Sequence, residues 1–253
     1  MIPADTATAS APGGCRLGVL AFGDSITNGG GELQWGVALQ SWALWTARAL
    51  AMPYTGYATD GARIRDVVGS QIPAFARSAR AGARYDVGCL YIGVNDVRGL
   101  AWDPAVFAAD FGRALCFLRE RCDRVVTLAA PLRLGYPPAG PKVAELNAVV
   151  RASAADVGAL VVDLSDFGAR NHVMVDRVHP TAFGQIAIAE RVLAVLAADG
   201  LAVAVAPSSL IAWHETRHGR LRGDLTYVYR DAKQRVRAVV ERRRLERELA
   251  RRS

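Results

Sequence analysis

The sequence predicts an α/β fold in which a five-stranded parallel sheet carries helices on both faces. Five short apolar runs with the character of buried strands alternate with longer segments whose apolar residues recur at helical spacing. Near-continuous apolar runs are typical of strands that are covered on both sides. Because crossovers between parallel strands are right-handed, this alternation predicts a three-layer α/β/α sandwich.

The predicted elements follow one another in a regular order. The five strands are predicted at Arg16–Phe22, Met52–Tyr57, Tyr85–Ile92, Arg124–Ala129 and Leu160–Leu164. The main helices are predicted at Trp35–Leu50, Ile64–Arg80, Pro104–Arg121, residues 141–157 and Pro180–Leu196. Asp103 is suited to cap the helix that Pro104 opens, and Pro180 is predicted in the first turn of the last helix.

Three regions of different composition indicate the domain organisation. Residues 1–14 are rich in small residues and proline, which predicts a disordered lead-in without a secretory signal. Residues 15–204 contain all the alternating strands and helices and are expected to form the main domain. Residues 205–253 are expected to form a basic helical extension. With no apolar run of about 18 residues, a transmembrane helix is not expected, and the protein is predicted to be cytoplasmic.

The cysteines and histidines give no pattern of a metal site. Cys15, Cys89, Cys116 and Cys122 form no CxxC pair, and the four histidines are scattered along the chain. Isolated cysteines in an intracellular chain are typically reduced thiols. Cys89 lies within an apolar run and is expected in the core.

The net charge of +7 is confined to the C-terminal part of the chain. Residues 213–253 contain 13 lysines and arginines against 6 acidic residues, whereas residues 1–212 contain 18 of each sign. The basicity therefore describes the extension rather than the main domain. It gives no argument for an enzyme that acts on nucleic acid.

The extension contains one amphipathic, arginine-rich helix, predicted over residues 224–252. Its apolar residues recur at helical spacing and include Leu225, Val228, Ala232, Val236, Val239 and Val240. The favoured interpretation is a helix whose apolar stripe packs on the main domain or on a second subunit. Contact with an anionic membrane surface, a nucleic acid or a partner helix stays open as the alternative.

Polar residues follow the first predicted strand at Gly23-Asp24-Ser25. Sites in parallel sheets lie at the carboxyl ends of the strands, so a serine here is a candidate nucleophile. The motif alone also fits a turn in which the serine caps a helix.

A histidine with a nearby carboxylate occurs in Asp176-Arg177-Val178-His179-Pro180. A serine hydroxyl is protonated at neutral pH and needs a base, which an imidazole provides. A carboxylate three residues earlier can bind the other ring nitrogen and stabilise the imidazolium. These residues therefore predict a Ser–His–Asp constellation.

Two further loops could bind a developing negative charge. Gly93-Val94-Asn95-Asp96 follows the third strand, and the Asn95 amide can donate a hydrogen bond to an oxyanion. Thr59-Asp60-Gly61-Ala62 follows the second strand, and Gly61 can offer its backbone N–H to the same atom. Both stretches also have the composition of ordinary turns.

In this order the motifs resemble those of the SGNH (GDSL-like) hydrolase family over residues 16–198. The resemblance implies Ser25 as nucleophile, His179 as general base and Asp176 as the residue that orients it. It implies an oxyanion hole made of the N–H groups of Ser25 and Gly61 and the side chain of Asn95.

The resemblance also implies a flavodoxin-like sandwich with strand order 2-1-3-4-5 and no metal or organic cofactor. Asp24 is expected to brace the loop. This chain has GDSIT where the wider group has GDSL, and Gly56 is an alternative to Gly61 as the oxyanion glycine.

The function expected from these residues is hydrolysis of a short-chain or acetyl ester of a small molecule or glycan. Attack on the acyl-enzyme by an alcohol instead of water would make the protein an acyltransferase, and the sequence does not separate the two. Trp35 and Leu132–Pro141 are candidates for the pocket lining. His172, close in sequence to Asp163 and Asp166, is an alternative base without the local carboxylate spacing.

Overall fold

The computed structural model describes residues 16–34, 36–80, 82–212, 216, 221–222, 224–233 and 236. Its centre is a five-stranded, all-parallel sheet of order β2-β1-β3-β4-β5, so the predicted fold and strand order are confirmed. The strands are β1 Val19–Gly23, β2 Tyr54–Gly56, β3 Tyr85–Tyr91, β4 Cys122–Ala129 and β5 Leu160–Asp163. Residues 1–14, Cys15 and Trp35, for which predictions were made, lie outside the described residues.

The helices form two layers, one on each face of the sheet. Helices α2 and α8 pack against each other, as do α6 and α7. The α-helices are α1 Ser25–Asn28, α2 Trp42–Ala49, α3 Ile64–Asp66, α4 Ile72–Ser78, α5 Val94–Arg98, α6 Pro104–Arg119, α7 Lys142–Val157 and α8 Ala182–Ala198. A π-helical turn, Val67–Gln71, joins α3 to α4, and a 3₁₀ turn, Pro207–Leu210, follows α8.

The central strands form the core of the domain. Every residue of β1 is buried, and β3 is buried except at Asp86. Cys89 is fully buried as expected, Cys122 is buried and Cys116 is exposed, and all three are free thiols. No helix within the described part of the chain is long and apolar enough to cross a membrane.

Two predicted helix starts are wrong, and capping side chains explain both. The helix predicted from Trp35 begins at Trp42, because the Ser41 hydroxyl accepts a hydrogen bond from the Leu44 N–H at 3.0 Å. The last helix begins at Ala182 instead of Pro180, because Thr181 caps it by accepting from the Gly184 N–H. Asp103 caps α6 as predicted.

The segment predicted as one helix from Ile64 to Arg80 contains the π-turn. Gln71, the last residue of this turn, is buried and faces the end of β1. Its Oε1 accepts from the Gly23 N–H at 3.0 Å, and its Nε2 donates to the Gly23 carbonyl at 2.8 Å. Gln71 therefore binds both backbone polar groups of the last residue of β1, two positions before Ser25.

We predict that Gln71→Leu lowers the free energy of unfolding by about 1–3 kcal/mol, because the buried Gly23 N–H loses the Gln71 acceptor, while the Gly23 carbonyl still accepts from the Thr59 N–H. Chemical denaturation of the purified variant measures the change. Gln40→Leu is the matched control, since the buried Oε1 of Gln40 has no hydrogen-bond partner among the described residues. Equal stability of the two variants would contradict the prediction.

Candidate active site

Ser25 lies at the carboxyl end of β1, in the first turn of the short helix α1. Asp24 is the N-cap of this helix, and its Oδ1 accepts from the Ile26 N–H at 2.9 Å. Gly23 has φ +154°, and a Cβ there would lie 2.5 Å from the Tyr91 carbonyl oxygen. The glycine is required because β1 and β3 approach closely where the chain turns towards Ser25.

The structure brings Ser25, His179 and Asp176 together in one hydrogen-bonded chain. The Ser25 Oγ lies 2.9 Å from the His179 Nε2, although the two residues are 154 positions apart. The His179 Nδ1 lies 2.7 Å from the Asp176 Oδ2. The other carboxylate oxygen of Asp176 accepts from the N–H groups of Val178 and His179 at 2.9 and 3.1 Å. The local loop therefore fixes the carboxylate, and the carboxylate fixes the imidazole.

These contacts shift the pKa values of both partners in the direction that a base requires. The hydrogen bond that the His179 ring donates to the Asp176 carboxylate raises the pKa of His179 above its ordinary value, and this outweighs the lowering by partial burial. Burial alone would raise the pKa of Asp176, but the hydrogen bonds from His179 and the backbone lower it. Asp176 is thus ionised at neutral pH and stabilises a protonated His179.

Asn95 and Asp96 connect the loop after β3 to the loop after β2. The Asn95 Nδ2 donates to the Ala62 carbonyl at 3.0 Å, and both carboxylate oxygens of Asp96 lie 3.3 Å from the Ile64 N–H. Burial raises the pKa of Asp96 to about 6. These bonds fix Asn95 beside the segment that follows Gly61. No feature of the sequence predicted this role of Asp96.

Two backbone donors near these side chains have no acceptor. The N–H groups of Ser25 and Gly61 make no hydrogen bond to any residue that the structure describes. Gly61 is exposed and has φ +73°, a conformation that favours glycine. Asn95 uses one amide hydrogen on Ala62, and the amide group has a second. Each of these three groups therefore has a hydrogen that can still be donated. Gly56, the alternative glycine, is the last residue of β2.

Gln185 links the Ser25 loop to α8. Its Nε2 donates to the carbonyl groups of Ile26 and Gly30 at 3.0 and 3.1 Å, and its Oε1 accepts from the Trp42 N–H at 2.8 Å. Gln185 is fully buried. This contact was not predicted from the sequence. The one indication of it is a polar residue among the apolar residues of the helix that follows His179.

His172 is not part of this arrangement. Its ring stacks on Phe167 with the centroids 5.6 Å apart, and burial lowers its pKa. Asp163 instead pairs with Arg151, and Asp166 with Arg191. The structure therefore gives the alternative base no contact with Ser25.

No cluster of three or more histidine, cysteine or acidic side chains in the described ranges could hold a metal ion. A cavity of about 450 Å³ lies behind the loop that carries the histidine. Its wall includes Ile26, Tyr91, Val178 and Leu132 but neither Ser25 nor His179. The cavity therefore adjoins the loop of His179 but is not lined by the side chains of Ser25, His179 and Asp176.

The fold and this group of residues are those of an ester hydrolase with a GDS motif. The model of the GDSL-like lipase/acylhydrolase family matches residues 21–186, well over half of the chain, and the chain belongs to this family. No curated protein sequence matches the chain.

Several solved structures share the fold at low identity. A lipolytic G-D-S-L family protein from Veillonella parvula is 22% identical, with 71% of this chain and 97% of that chain covered and a TM-score of 0.57. The acetylxylan esterase Axe2 from Geobacillus stearothermophilus is 18% identical, with 71% and 95% covered and a TM-score of 0.53. LAE5, an α/β hydrolase enzyme from the metagenome of Lake Arreo, is 19% identical, with 71% and 94% covered and a TM-score of 0.56.

We predict that Asp24→Asn removes a pH dependence of stability. Burial raises the pKa of Asp24 to about 7 from an ordinary 3.8, so the folded protein holds a proton that the unfolded chain releases between these values. This group therefore costs increasing stability as the pH rises from about 4 to 7. Melting temperatures across this range should shift in favour of Asp24→Asn as the pH rises. A constant difference from wild type would contradict the prediction.

Proposed function

We propose that the protein is a serine esterase that hydrolyses carboxylic esters through an acyl-enzyme on Ser25. The observation that carries the proposal is the hydrogen-bonded chain from Asp176 through His179 to Ser25. A serine hydroxyl is a weak nucleophile unless an adjacent base takes its proton. The distances of 2.9 and 2.7 Å lie within the range that proton transfer and imidazole orientation require.

In the first step, the Ser25 Oγ attacks the ester carbonyl carbon while the His179 Nε2 takes the hydroxyl proton. The Asp176 carboxylate accepts from the Nδ1–H and stabilises the imidazolium that forms. The C–O bond to the alcohol then breaks, and His179 returns the proton to the leaving oxygen. The alcohol departs and the acyl group stays on Ser25.

The carbonyl oxygen becomes negatively charged during this attack. The unpaired N–H groups of Ser25 and Gly61 and the second amide hydrogen of Asn95 are the proposed donors to it. Such donors are fixed before the reaction and need no rearrangement as the charge develops. In the second step, His179 takes a proton from a water molecule as the water oxygen attacks the acyl carbon. The bond from this carbon to the Ser25 Oγ then breaks, His179 returns the proton to Oγ, and the acid leaves.

Acetyl or other short acyl esters of small molecules or glycans are the proposed substrates. Acetylxylan esterases are among the proteins with this fold, which supports the choice of an acetyl group. The exposure of Gly61 supports an open site that admits a bulky alcohol portion.

We predict that Ser25→Ala nearly abolishes hydrolysis of p-nitrophenyl acetate, because no acyl-enzyme forms without the hydroxyl. A fluorophosphonate probe should label the wild type at Ser25, as located by mass mapping of peptides, and should not label the variant. Ser208→Ala, at an exposed serine outside the site, is the control and should keep full activity and labelling. Unchanged turnover in Ser25→Ala would rule out the proposed nucleophile.

We predict that Asn95→Ala lowers turnover by about 100- to 1,000-fold, the usual effect of losing one oxyanion donor. The loss should appear in kcat with a much smaller change in KM, since the donor acts mainly on the transition state. Circular dichroism checks that the fold survives the loss of the bond to Ala62. A variant that stays folded and within a few-fold of wild-type kcat would exclude Asn95 from the oxyanion hole.

A further inference from the structure

The C-terminal helix, described at 221–222, 224–233 and 236, is attached to the main domain by one of its faces. The Arg170 guanidinium donates to the Asp224 carbonyl at 2.6 Å and lies 4.7 Å from the centre of the Tyr227 ring. Arg230 forms an ion pair with Glu32. Tyr227 is half-buried and lines cavities of about 450 and 560 Å³ between the helix and the domain.

The opposite face of this helix is apolar and open to solvent. At 3.6 residues per turn, its apolar residues fall within an arc of about 100°, and Tyr227 lies on the other side of the helix. The exposed fractions of the large side chains in this arc are Leu221 58%, Leu225 63%, Val228 55%, Tyr229 66% and Val236 63%. The stripe therefore does not pack on the described part of the domain, contrary to one of the favoured interpretations of the sequence.

Basic residues accompany this apolar arc. Arg222 and Lys233 are exposed along one border of the arc, and Asp224, which pairs with Arg170, and Asp231 lie along the other. Residues 213–253 carry 13 basic against 6 acidic residues, so the full net charge of +7 belongs to this part of the chain. An exposed apolar helix face within a segment of strong positive charge is the pattern of helices that lie in the interface of an anionic membrane.

We propose that the outer face of the C-terminal helix binds an anionic lipid surface. The apolar arc would enter the boundary between headgroups and acyl chains, while the basic residues would contact the negatively charged headgroups. A second copy of the chain fits less well, because two such helices would bring like charges together. The helix lies on the surface rather than spanning it, since it carries charged residues within its sequence.

The attachment points connect this surface to the proposed active site. Glu32 follows the glycine loop in which the Gly30 N–H donates to the Ser25 carbonyl. Arg170 belongs to the loop that precedes Asp176, and Val173 and Met174 of that loop line both cavities beside Tyr227. Lipid binding would hold this edge of the protein near the membrane. Binding of the helix to lipid does not depend on ester hydrolysis.

Co-sedimentation of the full-length protein with vesicles tests the proposal. Vesicles of phosphatidylcholine alone are compared with vesicles of equal parts phosphatidylcholine and phosphatidylglycerol. We expect binding to the mixed vesicles that is at least about tenfold tighter than to the neutral ones and that weakens as salt is added. Equal binding to both vesicle types, or binding to neither, would overturn the proposal.

Matched variants separate the apolar and basic contributions. Leu225→Asn with Val228→Asn should weaken binding to the mixed vesicles by about tenfold or more, because two apolar side chains no longer enter the membrane. Val106→Asn is the control, since Val106 is 62% exposed on α6, away from the basic extension. Lys233→Gln should weaken binding by about fivefold, the effect of one basic residue near an anionic surface. Arg77→Gln, at an exposed arginine on α4, should leave it unchanged.

A second copy as the occupant gives a different result. Light scattering would then show a dimer that Leu225→Asn with Val228→Asn dissociates, and the mixed vesicles would not bind the wild type. That outcome overturns the proposal. Unaltered ester hydrolysis by the double variant with loss of vesicle binding supports it. Loss of hydrolysis by Ser25→Ala with unchanged vesicle binding would show that the two properties are independent.

Discussion

The arrangement of the whole site depends on holding the loop of Ser25 against the loop of His179. The hydrogen bond between their side chains joins the first strand to a segment 154 residues later, and one such bond cannot position two loops. Gln185 binds two carbonyl groups of the serine loop from α8. Gly31 approaches so closely that a Cβ there would lie 2.1 Å from the Pro180 carbonyl oxygen. The hydrogen bonds of the buried Gln185 amide and the absence of a side chain at Gly31 thus fix the distance between Ser25 and His179.

Much of the fold and the site could be predicted because the deciding features are local in sequence. Apolar runs mark buried strands regardless of what covers them, and the order of a parallel sheet brings its loops to one edge. The Asp176–His179 pair is local as well, since three residues of one loop supply the carboxylate and its backbone donors. Asp103 was likewise predictable as a cap because its partners are the next residues of the chain.

Features that depend on distant partners could not be predicted. Nothing near Gln71 in sequence indicates that its amide binds Gly23, 48 residues earlier, and Asp96 reaches Ile64 across 32 residues. Helical spacing extended the prediction of α2 to Trp35, whereas the structure starts that helix at the Ser41 cap. The predicted packing of the C-terminal apolar stripe on the domain was wrong for a similar reason. Apolar periodicity identifies an apolar helix face but does not show what covers it.

The lack of a side chain at Gly61 leaves the surface of the protein open at this position. No described atom lies within 4 Å of the position that a Cβ of Gly61 would occupy. The surface of the protein is therefore open at Gly61. Under the proposed function, an ester carried by a long molecule would meet no neighbouring side chain at this position, so its binding would need no opening motion there.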